Sequence, residues 1–284
     1  MSISSYDGIA LGRLLGRGAT ASVYCAKRGG QWLAVKQLAD VSIRYSVAFR
    51  RELSILNSMQ HTNIIQHLGN CSSPDMFSLF SEICEGGSVF TLIHRSEIEL
   101  MASQRCKMLR DVASAVEYMH GLPQAVMHRD LKSLNLLLKS PVGLKGDIPW
   151  VKLCDFGSAR AVEGSMDSEW QTVTQNVGTS QWMAPEVESG RYDEKVDVYS
   201  FAIVMYEILS YDIPFANLAP EDVRPSVHQG ARPDLKGVDT GMTASLSSLM
   251  VQCWAQVPKN RPSFGNISAE LQQNDLHKQR LLSL

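Results

Sequence analysis

His128-Arg129-Asp130-Leu131-Lys132-Ser133-Leu134-Asn135-Leu136-Leu137 and, further along, Cys154-Asp155-Phe156-Gly157 are the two stretches that decide how this sequence reads. Asn135 follows Asp130 by five residues and Asp155 follows it by twenty-five. Phosphoryl transfer asks little covalent chemistry of a protein; it needs a positioned nucleophile and neutralised charge. One carboxylate can accept the proton of an attacking hydroxyl. An amide and a second carboxylate can hold hard Mg2+ ions, which prefer oxygen ligands and keep some of their water. A lysine two residues after the first carboxylate, Lys132, can steady the moving phosphate.

Upstream, Gly16-Arg17-Gly18-Ala19-Thr20-Ala21-Ser22-Val23 joins two strand-like runs. Glycines there let backbone N–H groups come close to a phosphate. Taken alone the stretch also reads as a plain hairpin, and Ala21 stands where a third glycine is expected. Lys36 lies thirteen residues beyond Val23 in Trp32-Leu33-Ala34-Val35-Lys36, where alternation puts Ala34 and Lys36 on one strand face. Lys36 is either an exposed lysine at a strand end or a phosphate ligand. Glu52, on the next helix, is either a solvated carboxylate or the partner of that lysine. The order of all these residue types along one chain favours the phosphate readings.

The 284 residues fit one large domain or two modest ones. With 44% hydrophobic and 20% charged residues, wholesale disorder is excluded. Lys and Arg number 27 against 29 Asp and Glu, so no global field attracts nucleic acid or an anionic membrane. The N-terminus lacks the basic start and apolar run of a signal peptide. The apolar window Val198–Tyr211 carries Glu207 and falls short of the ~20 residues of a membrane span. Six cysteines without a CxxC pair read as reduced thiols, which points to the cytoplasm.

Strands are expected within Gly8–Val23 and at Trp32–Gln37, Ile64–Leu68 and Phe77–Ile83, with Gly29-Gly30 as a hairpin signal. Phe49, Leu53 and Leu56 mark one helix among them. Glu85-Gly86-Gly87-Ser88 reads as a flexible joint. Beyond it, Leu109, Val112, Ala113 and Val116 form an amphipathic stripe, and a further helix is expected at Ser245–Trp254. Val198–Leu209 is apolar on nearly every face, with Asp197 suited to its N-cap. The expected fold class is α+β: a small β-rich lobe, a larger helical lobe, and a ligand cleft between them.

Together these motifs resemble the protein-kinase signature over roughly residues 8 to 270. The resemblance implies a single bilobal kinase domain over 1–284, with an N-lobe to about 83, a hinge at about 82–87 and a C-lobe from about 88. It implies ATP and Mg2+ as cofactors. Leu15, Gly16, Gly18, Val23, Ala34 and Leu137 would enclose ATP, and Lys36, paired with Glu52, would bind its α- and β-phosphates. Ser81 would gate a back pocket, while Glu82 and Cys84 would offer backbone groups to adenine. Asp130 would be the catalytic base, Lys132 the phosphate partner, and Asn135 and Asp155 the metal ligands. Gly178–Glu186 resembles the peptide-positioning loop, with Thr179 bridging Asp130 and Lys132. The stretch from Asp197 would begin the buried helix that anchors the catalytic loop, and Arg261 would pair with Glu186.

Lys132-Ser133 is the serine/threonine form. Trp182-Met-Ala-Pro-Glu186, Gly230-Ala-Arg-Pro233 and Cys253-Trp254 resemble the tyrosine-kinase-like branch. Gly16-Arg-Gly-Ala19, Ala34-Val-Lys-Gln37 and Glu85-Gly-Gly-Ser88 are most similar to the TGF-β-activated kinase group, MAP kinase kinase kinases of JNK, p38 and NF-κB signalling. That implies MAP kinase kinases as protein substrates and adaptor proteins docking on the larger lobe, with no nucleic acid and no membrane span. Thr174 and Thr172 are the phosphosite candidates, facing Arg129 and Arg160; Ser165 and Ser168 read as solvated. His67 stands where an apolar residue would stack with Leu56, Phe156 and His128. The alternative is a catalytically weak scaffold binding nucleotide or a partner kinase. Retention of Lys36, Asp130 and Asp155 favours the enzyme.

Overall fold

Gly29 and Gly30 have φ of 52° and 87°, the left-handed values that a tight two-residue hairpin demands. They join β2 (Ala21–Arg28) to β3 (Gln31–Leu38), and β1 (Ile9–Arg17) pairs with β2 on its other side. With β4 (His67–Ser73) and β5 (Met76–Glu82) these form an antiparallel sheet in the order β1-β2-β3-β5-β4. The computed structural model describes residues 3–18, 20–39, 43–73, 76–143, 146–162, 180–190, 192–238 and 244–282. Thr172, Thr174, Thr179, Ser165 and Ser168 lie outside the described residues.

Helix α1 (Ile43–Ser58) packs on the sheet by the expected stripe, with Phe49 and Leu56 buried and Leu53 partly so. The strand expected at Ile64–Leu68 begins only at His67. Its first residues are engaged elsewhere: Ile65 N–H donates to the Leu153 carbonyl, Leu153 N–H to Asn63, and the Asn63 amide to Val151. Backbone groups bound to β8 (Val151–Leu153) cannot also serve the sheet ladder.

The Glu85–Ser88 joint is pinned rather than loose. Glu85 and Gly86 donate to the carbonyls of Lys139 and Leu138, and Leu138 N–H donates back to Gly87. A Cβ on Gly86 would fall 2.4 Å from the Ser140 carbonyl and 2.6 Å from Leu138 Cβ. Glycine serves close approach here, whereas its neighbour Gly87 supplies a φ of 73°.

Helices make up most of the remainder: α2 (Val89–Arg95), α3 (Ala102–His120), α4 (Lys195–Ser210), α5 (Pro220–His228), α6 (Ala244–Cys253) and α7 (Phe264–Leu282). Two short ribbons, β6 (Val126–Met127) with β9 (Arg160–Ala161) and β7 (Leu136–Leu138) with β8, lie between α3 and α4 in the chain. Ser88 caps α2 through the Thr91 N–H. Leu109, Val112, Ala113 and Val116 of α3 are all buried. Helix α4 is buried from Val196 to Leu209, as its uniform apolarity requires. It begins at Lys195, however, so Asp197 lies in the first turn instead of capping, and its carboxylate serves another segment. Among the described residues no helix is long and apolar enough to cross a membrane.

Arg261 and Glu186 form a two-pronged pair, one guanidinium nitrogen to each carboxylate oxygen, with Arg261 buried. Arg261 also lies over the Tyr199 ring at 5.2 Å, and Arg232 lies over the same ring at 5.0 Å. Arg232 in addition donates to the Trp254 carbonyl, so the Arg232 and Cys253-Trp254 motifs meet at one place. Replacing Arg261 by alanine strands the Glu186 charge and is expected to cost about 3–5 kcal/mol. Urea denaturation of Arg261→Ala measures this directly. A loss below about 1 kcal/mol would mean that the pair is no tighter than a surface bridge.

Candidate active site

The β2–β3 register sets Val23 opposite Lys36 and Cys25 opposite Ala34, so Ala34 and Lys36 share one face of the sheet. Lys36 Nζ donates to Glu52 Oε1 of α1 at 2.7 Å and to Asp155 Oδ1 at 2.8 Å. Sequence positions 36, 52 and 155 thus meet at one ammonium group. Asp155 is in the left-handed region, φ 64°, which is uncommon for a residue other than glycine. Its neighbour Phe156 is buried edge-on against His128, ring centres 5.1 Å apart. Burial of that ring holds the strained Asp155 backbone in place.

The 128–135 loop forms one hydrogen-bonded unit. Lys132 Nζ lies 2.9 and 2.8 Å from the two carboxylate oxygens of Asp130. The Asn135 amide donates to the Asp130 backbone carbonyl at 2.8 Å and to its carboxylate at 3.0 Å. Cys154 N–H donates to the Asn135 carbonyl, which ties the loop to the residue before Asp155. Arg129 has φ 65°; its N–H and that of His128 donate to the two oxygens of the buried Asp197, both at 2.8 Å. His120 Nε2 lies 3.0 Å from the same carboxylate. The Arg129 guanidinium donates to the Ser158 carbonyl at 2.6 Å and to the Tyr192 hydroxyl at 3.3 Å.

Charge in the cleft is set by these contacts. Burial pushes the Lys36 pKa down, but Asp155 and Glu52 outweigh it and hold the ammonium well above the ordinary lysine range. The Lys36 charge beside Asp155 holds its carboxyl at about 2, against an opposing effect of burial. Burial raises Glu52, with Lys36 opposing. Asp155 keeps 48% of its side-chain surface exposed, and only its Oδ1 is bonded to Lys36. The Asn135 amide nitrogen is occupied by Asp130, which leaves its oxygen as the ligand-capable atom. Oxygens from an amide and a carboxylate, completed by phosphate and water, suit a hard divalent cation.

Around this centre, Gly18 N–H donates to the Ala21 carbonyl and closes the glycine turn, and Gly16 faces Val23 in the β1–β2 register. Leu15 is 40% exposed. Leu137 lies on β7, in register with Lys152. Ser81 on β5 faces Ala34 across one strand boundary and His67 across the other. Neither ring nitrogen of His67 makes a hydrogen bond, and burial holds its pKa below the ordinary histidine range against a pull from the Phe80 backbone. Burial pushes the Cys84 thiol up to about 11, so it is no thiolate at neutral pH.

Sequence reasoning missed two features. The Glu82 carboxylate accepts from Lys139 and Lys152, both at 2.6 Å, and from Gln66 N–H at 2.9 Å. Burial raises its pKa, but those donors outweigh it and leave it lowered. No spacing rule joins residues 82, 139 and 152. Glu207, fully buried in α4, is the second; the one signal for it is a carboxylate inside an otherwise apolar helix.

The sequence matches the protein kinase domain family over residues 9–273. It is 35% identical over 268 residues to human mitogen-activated protein kinase kinase kinase 7, covering 92% of this chain and 41% of that protein. It is 33% identical to the probable serine/threonine-protein kinase SIS8 of Arabidopsis thaliana, covering 94% of this chain and 25% of that one. With the RGS domain-containing serine/threonine-protein kinase A of Dictyostelium discoideum it shares 31% identity over 94% of its length and 22% of the relative. The chain therefore spans less than half the length of these relatives.

Replacing Lys36 by methionine removes the charge that depresses Asp155, whose pKa then returns toward or above the ordinary 3.8. A depressed carboxylate contributes stability that is present above pH ~4 and lost as pH falls toward ~2. The stability gap between the wild type and Lys36→Met is therefore expected to narrow as pH falls below about 4. Urea melts at stepped pH measure it, and a gap that widens on acidification would refute the assignment.

Proposed function

The chain belongs to the protein kinase family, and from that premise we propose that it transfers the γ-phosphate of ATP to serine and threonine hydroxyls of proteins. The observation that carries this reading is the convergence of Lys36 on Glu52 and Asp155, beside the Asp130–Lys132–Asn135 unit. Asp130 accepts the proton of the attacking hydroxyl. Lys132, already bonded to that carboxylate, stays beside the phosphate in transit. Lys36, held by Glu52, takes the α- and β-phosphates. Asn135 and Asp155 hold Mg2+, which when bound neutralises phosphate charge.

Leu15, Gly16, Gly18, Val23, Ala34 and Leu137 enclose the nucleotide in this reading. Ser81 gates the space behind the base, and backbone groups of Glu82 and Cys84 take adenine. Thr179 positions the acceptor peptide. The relative named mitogen-activated protein kinase kinase kinase 7 supports a finer reading. In it the substrates are MAP kinase kinases, adaptors dock on the larger lobe, and the protein works in the cytoplasm in JNK, p38 and NF-κB signalling.

Radiolabel transfer from Mg-ATP, to the protein itself and to a MAP kinase kinase, tests both levels. Asp130→Asn is expected to lower transfer by about 10²- to 10⁴-fold, the usual worth of a general base. Transfer that persists undiminished in the variant would remove Asp130 from the mechanism; labelling of other proteins but no MAP kinase kinase would overturn the finer reading. In this reading, phosphate on Thr174 or Thr172 adds about −1.5 to −2 charge for Arg129 and Arg160 to pair with. The Thr172→Ala/Thr174→Ala double variant is accordingly expected to lose activity. Full activity in that variant would clear both threonines of a regulatory role.

A further inference from the structure

Lys139 lies outside the motifs that carry the site, just past the end of β7, yet its backbone and its side chain both bind the joint between sheet and helices. Its ammonium donates to the Glu82 carboxylate at 2.6 Å and to the Ile83 backbone carbonyl at 3.0 Å. Its own carbonyl accepts from Glu85 N–H, and its N–H donates to the Trp150 carbonyl. One residue thus holds positions 82, 83 and 85. Gly86, next along, donates to Leu138, the residue before Lys139.

Cys84 is the residue passed over. Among the described residues its backbone N–H and carbonyl have no hydrogen-bond partner, while Ile83 and Glu85 on either side are fastened to Lys139. A backbone group that is free itself but held at both neighbours is organised in advance for a ligand, which lowers the ordering cost of binding. Leu137 stands two residues before Lys139, and strand alternation puts the two side chains on one side. Lys139 therefore ties the strand that carries Leu137 to the segment that carries Cys84. The Glu82 carboxylate has other partners, Lys152 at 2.6 Å and Gln66 N–H at 2.9 Å. For the Ile83 carbonyl, Lys139 is the one side-chain donor among the described residues.

We propose that Lys139 is a positioning residue that fixes the backbone of residues 83–85 for the adenine ring of the nucleotide. This rests on the kinase reading above, in which Glu82 and Cys84 offer backbone groups to adenine and Lys36 takes the phosphates. Hydrogen bonds weaken steeply as their angle departs from linear. A backbone free to rotate at Ile83 therefore binds the base less well, while the phosphates, held at Lys36, do not sense the change.

Lys139→Met removes the ammonium and keeps the apolar stem and the backbone bonds. It leaves Glu82 paired with Lys152, so no charge is stranded. Its KM for ATP and its Kd for adenosine are expected to rise about tenfold, the worth of one hydrogen bond assisted by charge. Inhibition by magnesium tripolyphosphate, the KM for the acceptor peptide and the melting temperature are expected to stay near wild type. Lys139→Arg, which keeps a charged donor, is expected to recover most of the adenosine affinity. Calorimetric titration with adenosine, and tripolyphosphate competition in the transfer assay, give the split that a merely structural role would not produce. The proposal is overturned if folded Lys139→Met binds adenosine within about twofold of wild type or more tightly. It is equally overturned if adenosine and tripolyphosphate weaken together. Should Lys139→Met not fold, Lys139→Gln is held to the same thresholds, and failure of both to fold makes the residue structural and ends the proposal. A wild type that binds neither adenosine nor ATP defeats the kinase reading instead, which keeps the two failures distinguishable.

Discussion

Asp197 accepts two backbone N–H groups, from His128 and Arg129, and the remainder of the site depends on that contact. Arg129 is held at a positive φ that an L-residue rarely adopts, and a carboxylate with no exposed surface is the group that holds it. Burial penalises the Asp197 charge, but His120, His128 and the Arg129 N–H more than offset it, and its pKa lies below the ordinary range. The turn that results directs Asp130 into the loop interior, where Lys132 and Asn135 close on it. Helix α4 acts as the common reference because it is buried almost from end to end. A helix packed on every side cannot shift without disturbing the core, and side chains anchored to it inherit that rigidity.

Charge at the opposite wall of the cleft follows the same logic with a different balance. Lys36 is shared between Glu52, 7% exposed, and Asp155, 48% exposed. One ammonium between two carboxylates leaves a local excess of negative charge, which suits a divalent cation arriving with phosphate. The hinge carries the inverse arrangement, one carboxylate between two ammonium groups. Glu82 between Lys139 and Lys152 ties the end of β5 to the segments at β7 and β8. The strap is reinforced by Gly86, whose backbone approaches Ser140 too closely for any side chain. The joint between the sheet and the helices is therefore a fastened crossing, although its paired glycines read as a loose one.

Much of the architecture could be read along the chain. The hairpin at Gly29-Gly30, the stripe of α3 and the uniformly apolar α4 follow from local periodicity, and each was legible for that reason. The candidate site was legible because its residues fall in short motifs, Asp130 to Asn135 and Asp155 to Gly157. Readings that failed did so where tertiary bonding competed with local pattern. Ile64 and Ile65 have strand character, yet their backbone pairs with Leu153, so β4 starts later. Asp197 has the chemistry of an N-cap, yet the N–H groups it binds belong to another segment.

The sequence by itself determined the fold class, the family and the residue types that meet at the candidate site, because motif spacing and side-chain type are properties of the linear chain. It also settled that α4 is buried, since a helix apolar on all faces has no other stable location. Only the tertiary structure decided which charge meets which. Lys36 reaching Asp155 across 119 residues, Glu82 lying between two lysines, and Glu207 collecting donors from three elements are encounters between distant segments. Hydrogen bonds and ion pairs act over a few ångströms, and separation along the chain says nothing about such distances until the core has closed.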